Sequence, residues 1–352
     1  MENLDAGRNA RQRTVAYWLL AMCVMVYVMV LIGGFTRLSY AGLSIVEWKP
    51  LTGWLPPLTH EQWEAAFADY QRFPEYREIN AGMTLEDFRT IFLIEYFHRL
   101  WGRLIGLAFL VPFVLFFARG WIDKRLLPKL LVMFVLGGLQ GAVGWYMVQS
   151  GLVDEPDVSA YRLTVHLALA VAILGYMLWV AMELLAPASG QVAPAATVRL
   201  RRFGWGVVGI VFTTILSGGL VAGNNAGFAY NTFPTMDGEW IPKELFALDP
   251  LWVNFFEDVT TLQFDHRLLA LVTVTLILAF WMWARRTGLR WRARLAVDVL
   301  AMTVLIQAAL GISTLLLVVP LPLALLHQGG AVALFSAALW AAFEMRHEPA
   351  GN

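Results

Sequence analysis

The stretch Glu95-Tyr96-Phe97-His98-Arg99 opens an apolar run that continues to residue 117. On a helix, residues three apart share a face, so Glu95 and His98 point together at whatever lies beside that helix. A carboxylate and an imidazole at a membrane edge are costly to place without a partner or a task. His166, His266 and His327 stand in similar settings, each close to the start of an apolar run. This fourfold pattern carries the reading of both fold and function.

Of the 352 residues, 59% are hydrophobic and only 15% are charged. A soluble domain of this length carries about a quarter charged residues, so the class is a polytopic, all-α membrane protein. The formal net charge is zero, which gives no basic excess for nucleic acid. One cysteine, Cys23, excludes an internal disulfide and any cysteine-based zinc or iron–sulfur site. It reads as a small buried hydrophobe. The 15 tryptophans suit interfacial belts. Residues 1–13 are polar and lead straight into a full-length span, so no cleaved signal peptide or long transit sequence is expected.

Eight runs are long enough to span a bilayer, at roughly 20 residues each. They cover 15–37, 92–117, 129–149, 162–185, 203–223, 260–284, 295–319 and 323–344. Arg and Lys gather before span 1, between spans 2 and 3, before span 5 and between spans 6 and 7. All fall on one side, which the positive-inside rule makes cytoplasmic, with both termini inside. The expected location is the bacterial inner membrane, with the histidines near the periplasmic face. Two outer loops are long, 39–90 and 224–261, and residues 59–73 have the aromatic spacing of a short amphipathic surface helix.

The chain repeats itself. Gly33-Gly34 matches Gly218-Gly219, and Phe97-His98-Arg99-Leu100 matches Asp265-His266-Arg267-Leu268. Gln140 matches Gln307, and His166 matches His327. The histidine intervals are close, 68 and 61 residues. The repeat predicts eight transmembrane helices as two pseudo-symmetric four-helix bundles, 1–190 and 191–352, joined by an inner linker near 186–197.

The even-numbered spans run from outside to inside, and each histidine falls within the first two turns of one. Each half thus offers two histidines, on different helices, at one depth. Facing histidines across a bundle hold a haem by both axial positions. Zinc wants three or four ligands, often with a carboxylate or cysteine. An interhelical hydrogen bond is the plainer role for a lone intramembrane histidine. Four at one depth, paired by a repeat, favour haem iron. Glycines near the site, among them Gly137, Gly138, Gly141, Gly144, Gly218 and Gly311, leave room for a porphyrin plane. His60 in the outer loop and His347 in the polar tail read as solvated.

Glu95 has no acidic counterpart; Gln263 precedes His266 at the same spacing. One pocket therefore owns a carboxylate able to take a proton or stabilise a developing cation, and the other does not. The bland alternative is an ion pair with Arg99 or Arg103. Arg99, Arg103 and Arg267 are candidate partners for haem propionates, with snorkelling as the alternative. Asp265 orients its neighbour or faces water. Gln140 and Gln307 read as interhelical glue.

At these residues the chain resembles the haem A synthase family. The resemblance covers nearly the whole chain and includes Gly42-Leu43-Ser44, Trp48-Lys49-Pro50-Leu51-Thr52-Gly53, Glu95 to Arg103, Tyr230-Asn231-Thr232-Phe233-Pro234, Met236-Asp237-Gly238 and Gln263 to Arg267. It is closest to the branch of mitochondria and related bacteria. Another branch carries a cysteine pair in the first outer loop, and this chain has none there. The resemblance implies that haem O is the substrate. Its C8 methyl is oxidised through an alcohol to the formyl group of haem A, for cytochrome c oxidase. It implies that His98 and His166 hold the substrate haem, that Glu95 is the essential acid, and that His266 and His327 hold a haem b passing electrons. Implied partners are haem O synthase, cytochrome oxidase assembly factors, membrane lipid and further copies of the chain.

Two other functions fit part of the pattern. A quinol-linked diheme cytochrome b needs the four histidines but neither Glu95 nor the loop motifs. A transporter would explain the repeat, but transporter sites lie at mid-membrane on broken helices, and these histidines lie near one face.

Overall fold

The computed structural model describes residues 2–48, 52–151, 158–186 and 195–346. The described residues form α1 (Glu2–Leu38), α2 (His60–Tyr70), α3 (Pro74–Glu78), α4 (Leu85–Ala118), α5 (Leu127–Gly151), α6 (Ala160–Leu185), α7 (Ala195–Gly223), α8 (Val259–Arg285), α9 (Trp291–Leu316) and α10 (Leu321–Glu344). All except α2 and α3 are long and apolar enough to cross a membrane, and these eight answer the eight expected spans. The chain is an all-helical, multi-pass membrane protein. His347, Lys49-Pro50-Leu51 and most of the expected linker lie outside the described residues.

The main difference from the sequence reading is at α4, which starts at Leu85 and not near 92. Thr84 and Asp87 form a reciprocal capping box, satisfying two amides that would otherwise be orphaned at the helix start. The extra turns set His98 deep in its helix, while His166, His266 and His327 keep to the first two turns of theirs.

The extension of α4 gives the long segment between α1 and α4 a floor. α2 is capped by a second box, Thr59 with Gln62. Its apolar face docks on α4. Tyr70 stacks on Phe88 at 5.2 Å, and Trp63 meets Phe92 edge-on at 5.1 Å. Tyr70 and Phe88 are fully buried.

The chain divides into two compact units, Val24–Ala170 and Met1–Cys23 with Val171–Asn352. The division falls inside α1 and α6. In the unit holding the C-terminal helices, α7 packs on α8 and α10, and α9 packs on α8 and α10, which closes a four-helix ring. At the far ends of α6 and α10 a second repeated pair appears. Trp179 Nε1 donates to Glu183 and Trp340 Nε1 to Glu344, each at 3.1 Å. In the other unit α4 packs on α5 and α2. Trp101 Nε1 ties α4 to α1 by donating to the Met25 carbonyl at 2.9 Å.

Candidate functional site

His266 on α8 and His327 on α10 face one another, with ring centroids 6.4 Å apart and planes at 89°. Ser217 on α7 donates its hydroxyl hydrogen to the Thr214 carbonyl at 2.8 Å. Its oxygen therefore accepts from His266 Nδ1–H, also at 2.8 Å. That contact fixes the tautomer and leaves Nε2 with an open lone pair. Gln307 on α9 donates to the His327 carbonyl at 2.8 Å, with its amide nitrogen 3.1 Å from His327 Nδ1. Both rings thus engage through Nδ1, but in opposite senses: His266 Nδ1 donates to Ser217 and leaves its Nε2 bare, whereas His327 Nδ1 accepts from the Gln307 amide and leaves the ring hydrogen on Nε2.

His98 on α4 and His166 on α6 form the matching pair and interact electrostatically within their own unit. Gln140 on α5 repeats the role of Gln307. It donates to the His166 carbonyl at 3.1 Å and lies 3.3 Å from the ring Nε2. His166 Nδ1 and Gln140 Oε1 are buried polar atoms without a hydrogen-bond partner among the described residues.

Each histidine ring is backed by a glycine of the preceding membrane helix. A Cβ on Gly144 would come within 2.9 Å of His166, on Gly218 within 3.1 Å of His266, and on Gly311 within 2.8 Å of His327. Only glycine lets the backbone come so close to the ring. The fourth contact is looser, since a Cβ on Gly33 would lie 3.5 Å from His98 Nε2.

The residue four places C-terminal to Glu95, or to Gln263, is an arginine clasped by a long loop. Arg99 donates to Glu95 Oε1 through Nε at 3.0 Å, to the Glu47 carbonyl at 3.0 Å and to the Ile45 carbonyl at 2.7 Å. Ser44 Oγ and Ile45 N both donate to Glu95 Oε2 at 2.8 Å. Glu95 is only 2% exposed, in the ion pair with Arg99 that the sequence offered as the bland alternative. Arg267 donates to the carbonyls of Tyr230 at 2.7 Å and Thr232 at 2.9 Å. Gln263 Nε2 joins it on the Tyr230 carbonyl at 3.1 Å. The loop motif at Tyr230 to Pro234 therefore clasps Arg267, while Ser44 of Gly42-Leu43-Ser44 holds Glu95 and the residues just after it, Ile45 and Glu47, clasp Arg99. Arg103 lies over the Trp54 ring at 5.9 Å.

The two pairs were tested for haem on these contacts. One iron held by two imidazoles needs about 6 Å between ring centroids: two metal–nitrogen bonds of about 2 Å, and about 1 Å from each nitrogen to its ring centre. The His266–His327 separation fits, and so does the bare Nε2 of His266. All four histidines are partly buried. Among the described residues no group of three or more His, Cys, Asp and Glu gathers as a metal cluster, so the donor set is pairs. The His266–His327 pair fits the group.

Ser217 and the histidine-facing role of Gln140 and Gln307 were missed in the sequence. The glutamines could have been found from their recurrence in both halves. Ser217 has no such signal, because Ile32 stands at the matching position.

Fold and site together define a multi-pass membrane protein with a facing histidine pair on α8 and α10 and two arginines clasped by loops. The sequence pattern of the COX15-CtaA family, described as cytochrome oxidase assembly protein, matches residues 16–339. A protein of Nitrosospira multiformis named heme A synthase is 52% identical over 96% of this chain and 95% of its own length. One of Paramagnetospirillum magneticum with the same name is 47% identical over 96% of this chain and 95% of its own. Heme A synthase COX15 of Bos taurus is 44% identical over 97% of this chain and 84% of its own. The chain belongs to the haem A synthase family.

Proposed function

We propose that the chain oxidises the C8 methyl of haem O to the formyl group of haem A, for cytochrome c oxidase. In this reading His98 and His166 hold haem O, and His266 and His327 hold a haem b. A haem b there supplies one-electron transfer, with its potential set by the axial imidazoles and what they hydrogen-bond to. The protein's own part is positional. Ser217 and Gln307 orient the second pair. Gln140 and Gly144 hold His166. Glu95, fixed by Ser44, Ile45 and Arg99, keeps a carboxylate on the face of α4 that carries His98. Arg99 and Arg267 hold the loops, and with Arg103 they remain the candidate partners for haem propionates.

The observation that carries this reading is the difference between two matching sites. Glu95 stands in one where Gln263 stands in the other, each beside a histidine and a clasped arginine. A pure electron carrier would have no use for that inequality. The sidedness of the basic clusters supports an inner-membrane protein with cytoplasmic termini and both pairs near the periplasmic face.

The test is the haem content of the purified protein, by spectrum and by extraction chromatography, alongside Glu95→Ala. The synthase reading expects haem b retained and haem A production abolished. A variant that still makes haem A, or a wild-type protein that binds no haem, overturns it.

A further inference from the structure

The two imidazoles of the second pair are held in opposite ways. Ser217 accepts from His266 Nδ1–H, so the His266 Nε2 lone pair is bare. His327 has no such nitrogen. The Gln307 amide nitrogen donates to the His327 carbonyl at 2.8 Å and stands 3.1 Å from His327 Nδ1. A carbonyl only accepts, so the end of the amide that faces His327 is its nitrogen, and the second amide hydrogen goes to Nδ1. Nδ1 is thus occupied as an acceptor, and Nε2 carries the single ring hydrogen of a neutral imidazole.

The other end of the amide is lodged as firmly. Gln307 Oε1 lies against Gly330, three residues after His327 on α10, where a Cβ would collide with it. It is buried and has no hydrogen-bond partner among the described residues. Exchanging the two ends of the amide would give Oε1 a hydrogen from Nδ1, but would set two oxygens face to face at the His327 carbonyl. Either arrangement leaves a buried polar group unsatisfied, which is costly. The first pair repeats the device, since Gln140 donates to the His166 carbonyl at 3.1 Å and comes within 3.3 Å of that ring. A histidine binds a metal through a ring nitrogen that carries no hydrogen. His266 offers one as it stands. His327 has first to move its hydrogen from Nε2 to Nδ1, with no net gain or loss of a proton, and to give up the Gln307 contact there.

Resting on the function proposed above, we infer that His266 and His327 are unequal ligands: His266 takes the haem iron first and keeps it, and His327 is a displaceable ligand restrained by Gln307. The second site then has one coordination position, on the α10 side, that a small neutral molecule can enter. Gln307 is a positioning residue, because it reaches the iron only through His327.

The experiment uses the full-length protein in detergent, carrying His98→Ala and His166→Ala so that added haem b loads the second pair alone. Haem b is titrated in, the complex is reduced, and carbon monoxide is added as the probe, each step followed by absorption. His266→Ala is expected to lower haem b affinity about tenfold more than His327→Ala does. The reduced protein with both His266 and His327 is expected to bind carbon monoxide. Gln307→Met keeps the side chain's bulk without the amide and frees His327 to hold the iron, so it is expected to lower carbon monoxide affinity about tenfold or more. Haem b binding as tight as before shows that this variant is folded, and the two alanine variants test the inequality without it. Equal losses of haem b affinity in those two overturn the inference. So does a reduced complex that excludes carbon monoxide, or an affinity for it that Gln307→Met leaves unchanged. Should the protein with all four histidines bind no haem at all, the function reading falls first and takes this inference with it.

Discussion

Arg99 and Glu95 lie one helical turn apart on α4 and close a buried ion pair, with the carboxylate's second oxygen held by Ser44 and Ile45 of the loop between α1 and α2. The same turn of α8 pairs Arg267 with Gln263, where the oxygen of an uncharged amide lies 3.4 Å from the guanidinium. The comparison separates two duties of Glu95. Holding the arginine and loop is a duty glutamine performs in the other half. Carrying a negative charge beside His98 is one that it does not.

Glu95→Gln should therefore keep the fold, the loop clasp and the bound haem, and lose about a hundredfold or more of haem A formation. Glu95→Ala should also strand the Arg99 charge and lower stability by about 3 kcal/mol or more. Turnover with haem O and thermal unfolding, measured on both variants, check this. Near-normal turnover in Glu95→Gln would reduce Glu95 to a loop anchor.

The glycine contacts give a graded series. Gly311→Ala drives a methyl to 2.8 Å from the His327 ring, closer than real side chains tolerate. It should strip most haem from the second site. Gly33→Ala places its methyl at an ordinary 3.5 Å from His98 and should be nearly silent. Haem-to-protein ratios from extraction decide the matter; equal losses in both variants would mean that the rings are free to turn aside.

Ser217 accepts the Nδ1 proton of His266 and so strengthens the imidazole as a donor. Ser217→Ala should raise the reduction potential of the second-site haem and loosen its binding about tenfold or more. Thr213→Ala is the control, because Thr213 is exposed and bonds only its own helix, at the Gly209 carbonyl. A potentiometric titration unmoved in Ser217→Ala would show that the hydroxyl only packs.

Most of the architecture was legible because hydrophobic length is a strong signal in a membrane, and all eight spans come out of it. The four histidines were legible because they repeat. What escaped was of two kinds. The α4 extension depends on the Thr84–Asp87 box and on a floor for Tyr70, both set by a distant loop. The loop clasps of Arg99 and Arg267 were the second. The carbonyls that satisfy Arg99 belong to a loop about 50 residues away, and sequence spacing says nothing about them.

That distant loop gives the last prediction. The Tyr70 phenol is raised well above its ordinary range, by burial first and then by Glu75, while Asn80 donates to its oxygen at 2.7 Å. The folded phenol titrates above the unfolded one, so proton loss favours the undocked segment. Docking of α2 on α4 should be constant below about pH 10 and weaken as pH rises beyond it. Tyr70→Phe should flatten that dependence, and Tyr70→Ala should cost about 3 kcal/mol or more and free α2. Hydrogen exchange over 60–78, corrected for the intrinsic effect of pH, reports both. Undocking at high pH that survives in Tyr70→Phe would assign the effect to another group.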